Sequence, residues 1–325
     1  MENREGICRA IRTGQPERPS FDRPRNQFTS SAALVRALRT CIVAVLACSA
    51  LSLSSMAGDL TVPAQPRHQI SEMPFSLYRG YLVVVDGRLG NLEHQNLLLD
   101  TGTSPSMIDR SVSEKLKLQG TARDIALFNK KVAAQTVTLS DVELGPLHPR
   151  NLPVMVADFS KVAEGLGTRI DAVIGLDVLG ATSFTLDYQK HRIYFHATSE
   201  RHSAHFSSGP QFITVDLRTS GRDLHLLLDT GTPRLVLFSD ALRHLDYDPT
   251  TVNGTGQNIS GNVTYNTIIL ENTRLDGEDM GPQRVAVVAS EATARAGYDG
   301  LVGISFWRPK RLSFDFEHQM IGWSN

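Results

Sequence analysis

The sequence predicts an all-β protein of two related lobes with only short helices, and three observations carry that prediction. A seven-residue segment occurs twice, letter for letter. Its downstream neighbours recur at nearly constant spacing. Between the repeats the chain runs in short apolar or alternating stretches separated by turn signals. The 325 residues are 41% hydrophobic and 21% charged, a globular composition that sets aside collagen-like, disordered and polytopic membrane classes.

The repeat comes first, because an internal period decides the architecture. Leu97-Leu98-Leu99-Asp100-Thr101-Gly102-Thr103 returns as Leu226-Leu227-Leu228-Asp229-Thr230-Gly231-Thr232, a shift of 129. Asp171-Ala172-Val173-Ile174-Gly175-Leu176 is echoed by Asp299-Gly300-Leu301-Val302-Gly303-Ile304, and Phe184-Thr185-Leu186-Asp187-Tyr188 by Leu312-Ser313-Phe314-Asp315-Phe316, both at a shift of 128. Order and spacing are kept, as expected of a duplicated domain.

Within each copy, Tyr81–Val85, Val132–Leu139, Leu152–Val156, Val263–Leu270 and Val285–Val288 read as strands, being short and rich in Val, Ile and Thr. Leu97–Leu99 is apolar at every position, the mark of a strand buried on both faces. Short helices are expected at Ser111–Leu118 and Ser239–His244, each just after a repeated Asp-Thr-Gly. The organisation that follows is a leader over 1–57, a polar linker over 58–72, an N-terminal lobe over 73–197, an inter-lobe linker over 198–210 and a C-terminal lobe over 211–325.

The leader has Arg36 and Arg39 ahead of an apolar run from Cys41 to Leu53 and small residues through Ala57, the layout of a secretory signal cleaved after Ala57. Export to a periplasmic or extracellular space is the expectation. The apolar run is short for a span of about 30 Å of hydrocarbon. Lipidation at Cys48 and retention as a membrane anchor stay open as alternatives. All three cysteines (Cys8, Cys41, Cys48) lie in this leader, so the remaining chain holds no disulfide framework, cysteine zinc site or thiol nucleophile. The leader takes eight of 33 basic and four of 34 acidic residues, leaving 25 against 30, and that mild acidity argues against a nucleic-acid partner.

Asp-Thr-Gly makes a good turn, and a single copy followed by Ser or Thr would arise by chance in on the order of one chain in a hundred of this length. Two copies behind identical leucine runs need another reason. A carboxylate at the end of a buried strand is costly unless hydrogen-bonded. Here Gly102 and Gly231 let backbone N–H groups approach, and Thr103 and Thr232 carry hydroxyls able to donate. If the copies meet about a pseudo-twofold axis, Asp100 and Asp229 arrive side by side in an inter-lobe cleft. Two such acids share one proton, so one can act as base and the other as acid.

These residues resemble the aspartic peptidases of the pepsin and retropepsin type, and the lobe length of about 125 residues resembles the bacterial retropepsin-like group, two compact copies fused in one chain. The resemblance rests on the two Asp-Thr-Gly-Thr loops, on the apolar elements ending in Gly175 and Gly303, and on Phe314-Asp315 with Ile321-Gly322 near the C-terminus. It covers about Met73 to Trp323. It implies the acid-protease fold and water-mediated attack on a peptide bond of a peptide or protein substrate, with no metal, cofactor or covalent intermediate. Asp100 and Asp229 would be the catalytic pair. Thr101 and Thr230 would bond across the axis, and Thr103 and Thr232 would orient the outer carboxylate oxygens. A monomer suffices, since one chain holds both halves.

No flap motif aligns, but by position the flaps fall within Gly120–Thr136 and Gly254–Tyr265, with Phe128 and Tyr265 as aromatics that suit a core or strand-surface role at least as well. Three glycosylation triplets, beginning at Asn253, Asn258 and Asn262, overlap the second window. His191, His196, His202 and His205 match no metal-ligand spacing and read as a solvated linker. The competing functional class is a peptide-binding protein that kept this fold and lost turnover.

Overall fold

A computed structural model describes residues 72–325 apart from 128–129, 210, 246, 259–260 and 290–296. The leader, all of the 58–72 linker except Glu72, and Phe128 lie outside the described residues. The architecture is all-β: two barrel-like lobes and a third sheet that both lobes build together.

The lobes have the same strand order. In the N-terminal sheet the order is Ser76–Tyr78, Leu82–Leu89, Leu92–Leu99, Ala172–Ile174, Met107–Asp109, Arg150–Ala157, Lys130–Glu143 and Gly120–Leu127. In the C-terminal sheet it is Ser207–Ser208, Ile213–Thr219, Arg222–Leu228, Gly300–Val302, Leu235–Phe238, Glu278–Val288, Gly261–Leu275 and Asp248–Asn258. A further pairing curls each sheet towards closure, Arg88 and Leu89 against Glu143 and Val142 in one lobe, Leu217 and Arg218 against Leu275 and Arg274 in the other.

The leucine triplets are buried on both faces. Leu97 and Leu99, like Leu226 and Leu228, enter one continuous core that runs through both lobes and the shared sheet. Leu98 points the other way into a second cluster with Leu82, Val84, Met107 and Val173, and Leu227 does the same with Val236, Phe238 and Leu301. Each buried leucine side chain contributes about 1.5–3 kcal/mol of transfer free energy, so the triplets anchor the loops that follow them. Leu97–Leu99 runs parallel to Ala172–Ile174, and Leu226–Leu228 to Gly300–Val302, which binds the two repeated motifs of each copy into one unit.

The repeated Asp171 and Asp299 brace that unit. Asp171 is fully buried; it accepts the Asn96 N–H at 2.8 Å, and Arg169 Nε lies 2.6 Å from its other oxygen. Asp299 accepts the His225 N–H at 2.9 Å from a half-buried position.

The shared sheet runs Glu72–Pro74, Arg192–Tyr194, Phe184–Asp187, Arg311–Asp315, Met320–Ser324 and His202–His205. At its centre the two copies of one segment pair antiparallel, and Thr185 lies opposite Ser313, its own equivalent at a shift of 128. A residue facing its own repeat marks the pseudo-twofold axis. Thr185 Oγ1 lies 3.0 Å from Ser313 Oγ there.

Two sequence readings are revised. The histidine-containing 198–210 stretch is not a solvated link: His202–His205 forms an edge strand of the shared sheet, Ala204 and Phe206 are buried, and the Glu200 side chain is only 3% exposed beside Arg311. Ser239–His244 is a 3₁₀ turn, and the first helix is Arg110–Lys115, shorter than expected because Lys117 turns the chain at φ 52°.

Replacing Asp171 by Ala should destabilise the fold by about 1–3 kcal/mol, because it leaves the part-buried Asn96 N–H without its acceptor. Asp299→Ala should cost less, its site being half open. Urea unfolding of the two variants checks the order.

Candidate active site

Both Asp-Thr-Gly-Thr loops leave their leucine strands at the same point. The N–H of Asp100 donates to Ile174 O at 3.0 Å and that of Asp229 to Val302 O at 3.1 Å, extending the parallel ladders by one residue. Each loop then crosses close to the end of the neighbouring strand. A Cβ on Gly175 would sit 2.1 Å from Thr103 O, and one on Gly303 would sit 2.4 Å from Thr232 O. Only glycine fits at either crossing.

The loops meet on the axis through reciprocal bonds. Thr101 Oγ1 donates to Leu228 O at 2.9 Å and accepts the Thr230 N–H at 3.1 Å. Thr230 Oγ1 donates to Leu99 O at 3.3 Å and accepts the Thr101 N–H at 3.0 Å. Both threonines are buried. Each hydroxyl thus satisfies one donor and one acceptor of the opposite lobe.

This lock brings the acids face to face. The Asp100 and Asp229 carboxyls act directly on one another, through charge and hydrogen bonding. Each also lies against the glycine of the other loop: a Cβ on Gly102 would be 2.6 Å from Asp229 Cγ, and one on Gly231 would be 2.6 Å from Asp100 Oδ2. Glycine at these two places is what permits the approach.

Support of the two acids is unequal. Asp100 accepts the Gly102 N–H on Oδ1 and the Thr103 hydroxyl on Oδ2, both at 2.8 Å. Asp229 accepts the Gly231 N–H at 2.8 Å and is further favoured by the Thr232 backbone N–H, but the Thr232 hydroxyl makes no matching bond to it among the described residues. Part of the Asp229 surface remains open, yet protein surrounds the rest. Its carboxyl is held well above the ordinary carboxylate range, first by desolvation, then by the charge and hydrogen bonding of Asp100.

Other side chains were not singled out by the sequence. Tyr81, just before the Leu82–Leu89 strand, lies within electrostatic range of both acids and of Arg79 and Arg234; burial raises its phenol pKa. Tyr298 is raised by burial and then by the Asp229 charge. Behind the first loop, Asp177 binds Ser106 through its N–H at 2.9 Å and its hydroxyl at 2.6 Å, and Ser106 Oγ accepts the Gly175 N–H at 2.9 Å. The second copy has Leu235 and Ser305 there. One available signal was asymmetry: Arg234 stands where the first copy has Pro105, just beyond the identical seven-residue segment.

The two expected flap windows fall on hairpins, Gly120–Leu127 with Lys130–Glu143 and Asp248–Asn258 with Gly261–Leu275. Tyr265 sits opposite Gly254, its ring filling the place of a Cβ there, and packs against the second apolar cluster of its lobe. Among the described residues no group of three or more His, Cys, Asp or Glu is placed to hold a metal ion.

Two β lobes joined about an axis, each presenting one acid on an Asp-Thr-Gly loop, define an aspartic protease fold. The family described as aspartyl protease matches residues 85–178 and 215–306, once in each lobe and over more than half of the sequence, and the chain belongs to that family. No curated protein matches it.

Thr101→Val should cost about 2–5 kcal/mol, since it leaves Leu228 O and the Thr230 N–H buried without partners. Thr101→Ser keeps the hydroxyl and should lose much less. Thermal and denaturant unfolding of the pair distinguishes loss of the bonds from loss of bulk.

Proposed function

We propose that this protein is a single-chain aspartic endopeptidase of the pepsin and retropepsin type, in the compact bacterial retropepsin-like form, with Asp100 and Asp229 as its catalytic pair. The observation that carries the reading is the face-to-face placement of two unequally supported carboxyls. Two acids this close do not both ionise, a general property of aspartic protease pairs.

Asp100, held by the Gly102 N–H and the Thr103 hydroxyl, is arranged to remain the acceptor. Asp229 keeps the shared proton, because desolvation and its neighbour's charge both oppose ionisation. Asp100 then takes a proton from a water molecule as the oxygen attacks the peptide carbonyl, and Asp229 gives its proton to the carbonyl oxygen. The tetrahedral species collapses as the proton now on Asp100 passes to the leaving amine and one hydroxyl of the former carbonyl carbon returns its proton to Asp229, which restores the singly protonated pair. Thr101 and Thr230 hold the geometry without touching substrate. The substrate class is a peptide or protein segment in extended form between the lobes. One chain supplies both acids, so the working unit is a monomer, and the 1–57 leader directs export.

Cleavage of a mixed peptide library tests the reading. Asp100→Asn and Asp229→Asn should each lower kcat by at least about 10³-fold, because an amide cannot share the proton. Retained cleavage in either variant overturns the pair; binding of peptides without cleavage by the unaltered protein would favour the non-catalytic alternative.

The raised Asp229 pKa sets two pH trends. Activity needs the proton on the pair, so kcat should fall as pH rises through the raised value. Stability follows the same sign: the folded state keeps a proton that the unfolded chain releases above a carboxyl pKa of about 3.9, so stability is lost as pH rises towards the folded value. Asp229→Asn should therefore unfold at a higher temperature than the unaltered protein at pH 7, with the gap narrowing at pH 4. Calorimetry at the two pH values checks this.

A further inference from the structure

The surroundings of the acid pair are not symmetric in charge. Five residues after Asp229, exposed Arg234 stands where the first copy carries Pro105. Tyr265 fixes its head group: an Nη1 hydrogen bond runs to the phenol oxygen, and the guanidinium carbon lies 5.0 Å from the ring centroid. At its other end the Arg234 backbone carbonyl accepts the Gly303 N–H at 3.1 Å, at the same crossing that sets the Asp-Thr-Gly-Thr loop. The cation is therefore held between the acid loop and the C-terminal hairpin, on two elements that are themselves packed in place.

The hydroxyl of Tyr81, in the N-terminal lobe, feels the charges of Arg79, Asp229, Arg234 and Asp100 together. Arg79 adds a second positive charge from the N-terminal lobe, with its Nη2 2.5 Å from Gly165 O. Among the described residues no carboxylate forms an ion pair with Arg234 or Arg79. An arginine has five N–H donors, and only one of those on Arg234 is engaged by a side chain. An acid pair that shares a proton carries one negative charge, so two fixed cations leave this part of the cleft able to receive another.

We propose that Arg234 is a specificity-determining residue that selects peptides carrying a glutamate or aspartate side chain near the cleaved bond, on the stretch lying against the C-terminal lobe. This deepens the endopeptidase reading and rests on it. Arg–carboxylate recognition is directional and can be bidentate, which favours an acidic side chain over its amide of equal size. Stacking on Tyr265 limits the arginine's freedom before binding, so less entropy is lost when the carboxylate arrives.

The test uses two matched peptide libraries, identical except for Glu or Gln at each position flanking the cleaved bond. The unaltered protein should cleave the Glu peptide with a kcat/KM about tenfold higher at one of those positions, equivalent to about 1.4 kcal/mol. Arg234→Gln should bring that ratio near unity, Arg234→Lys should keep part of it, and Arg234→Glu should invert it, so that the Gln peptide is cleaved faster than the Glu peptide. The preference should also shrink as salt rises. Cleavage by the unaltered protein with no Glu preference, or a preference unchanged in Arg234→Gln, overturns this proposal and leaves the endopeptidase reading standing. Failure to cleave either library overturns both.

Discussion

The four hydrogen bonds between Thr101 and Thr230 and the opposite backbones are the constraint on which everything else in the site depends. They hold two acids where electrostatics alone would separate them. Two unit charges at 4 Å in an effective dielectric near 20 repel by about 4 kcal/mol. Four buried hydrogen bonds at about 0.5–1.5 kcal/mol each supply a similar amount. Neither effect wins by a wide margin, so the cheaper resolution is for one acid to keep its proton. The raised Asp229 pKa is that resolution, and it is also the chemical asset of the site. The lock need not overcome the repulsion of two full charges, because the proton removes one of them.

The scaffold that carries this lock is nearly symmetric, while its lining is not. Strand order, leucine triplets, glycine crossings and the Asp171 and Asp299 braces come in matched pairs. The differences gather around the acids. Thr103 donates its hydroxyl to Asp100 while Thr232 offers Asp229 only its backbone; Ser106 and Asp177 brace one loop and have no polar counterpart of the same kind in the other. Tyr81 comes from one lobe and Tyr298 and Arg234 from the other. Symmetry positions the acids, and these departures give each a separate part.

Sequence made the scaffold legible where a local pattern and a long-range consequence coincide. Three leucines in a row cannot put one face in water, so a doubly buried strand followed, and its repetition implied two loops able to meet. The shared sheet was hidden for the opposite reason. Its strands are three to five residues long, and His202-Ser203-Ala204-His205 shows one buried position among polar ones, too short a stretch for period-two alternation to stand out from a linker. Three of its five pairings join residues more than a hundred positions apart. Tyr81 escaped notice because it lies in no motif, and Arg234 because a repeat draws attention to the positions that match rather than to those that differ.

That last point explains why a fused chain differs in kind from an assembly of two identical ones. In a symmetric dimer every residue near the axis occurs twice, so an arginine beside one acid must be matched by an arginine beside the other. Joining the copies in one chain lifts that requirement while the paired Thr185 and Ser313 strands still keep the lobes in register. Pro105 and Arg234 then occupy equivalent places, and the C-terminal lobe carries a cation at a position where the N-terminal lobe has none. On the reading proposed above, a peptide bound between such lobes would have a preferred direction, since only one orientation sets a given side chain against the guanidinium. Direction is what a symmetric pair cannot impose, and it costs this fold nothing in the hydrogen bonds at the axis, because Arg234 acts from outside them.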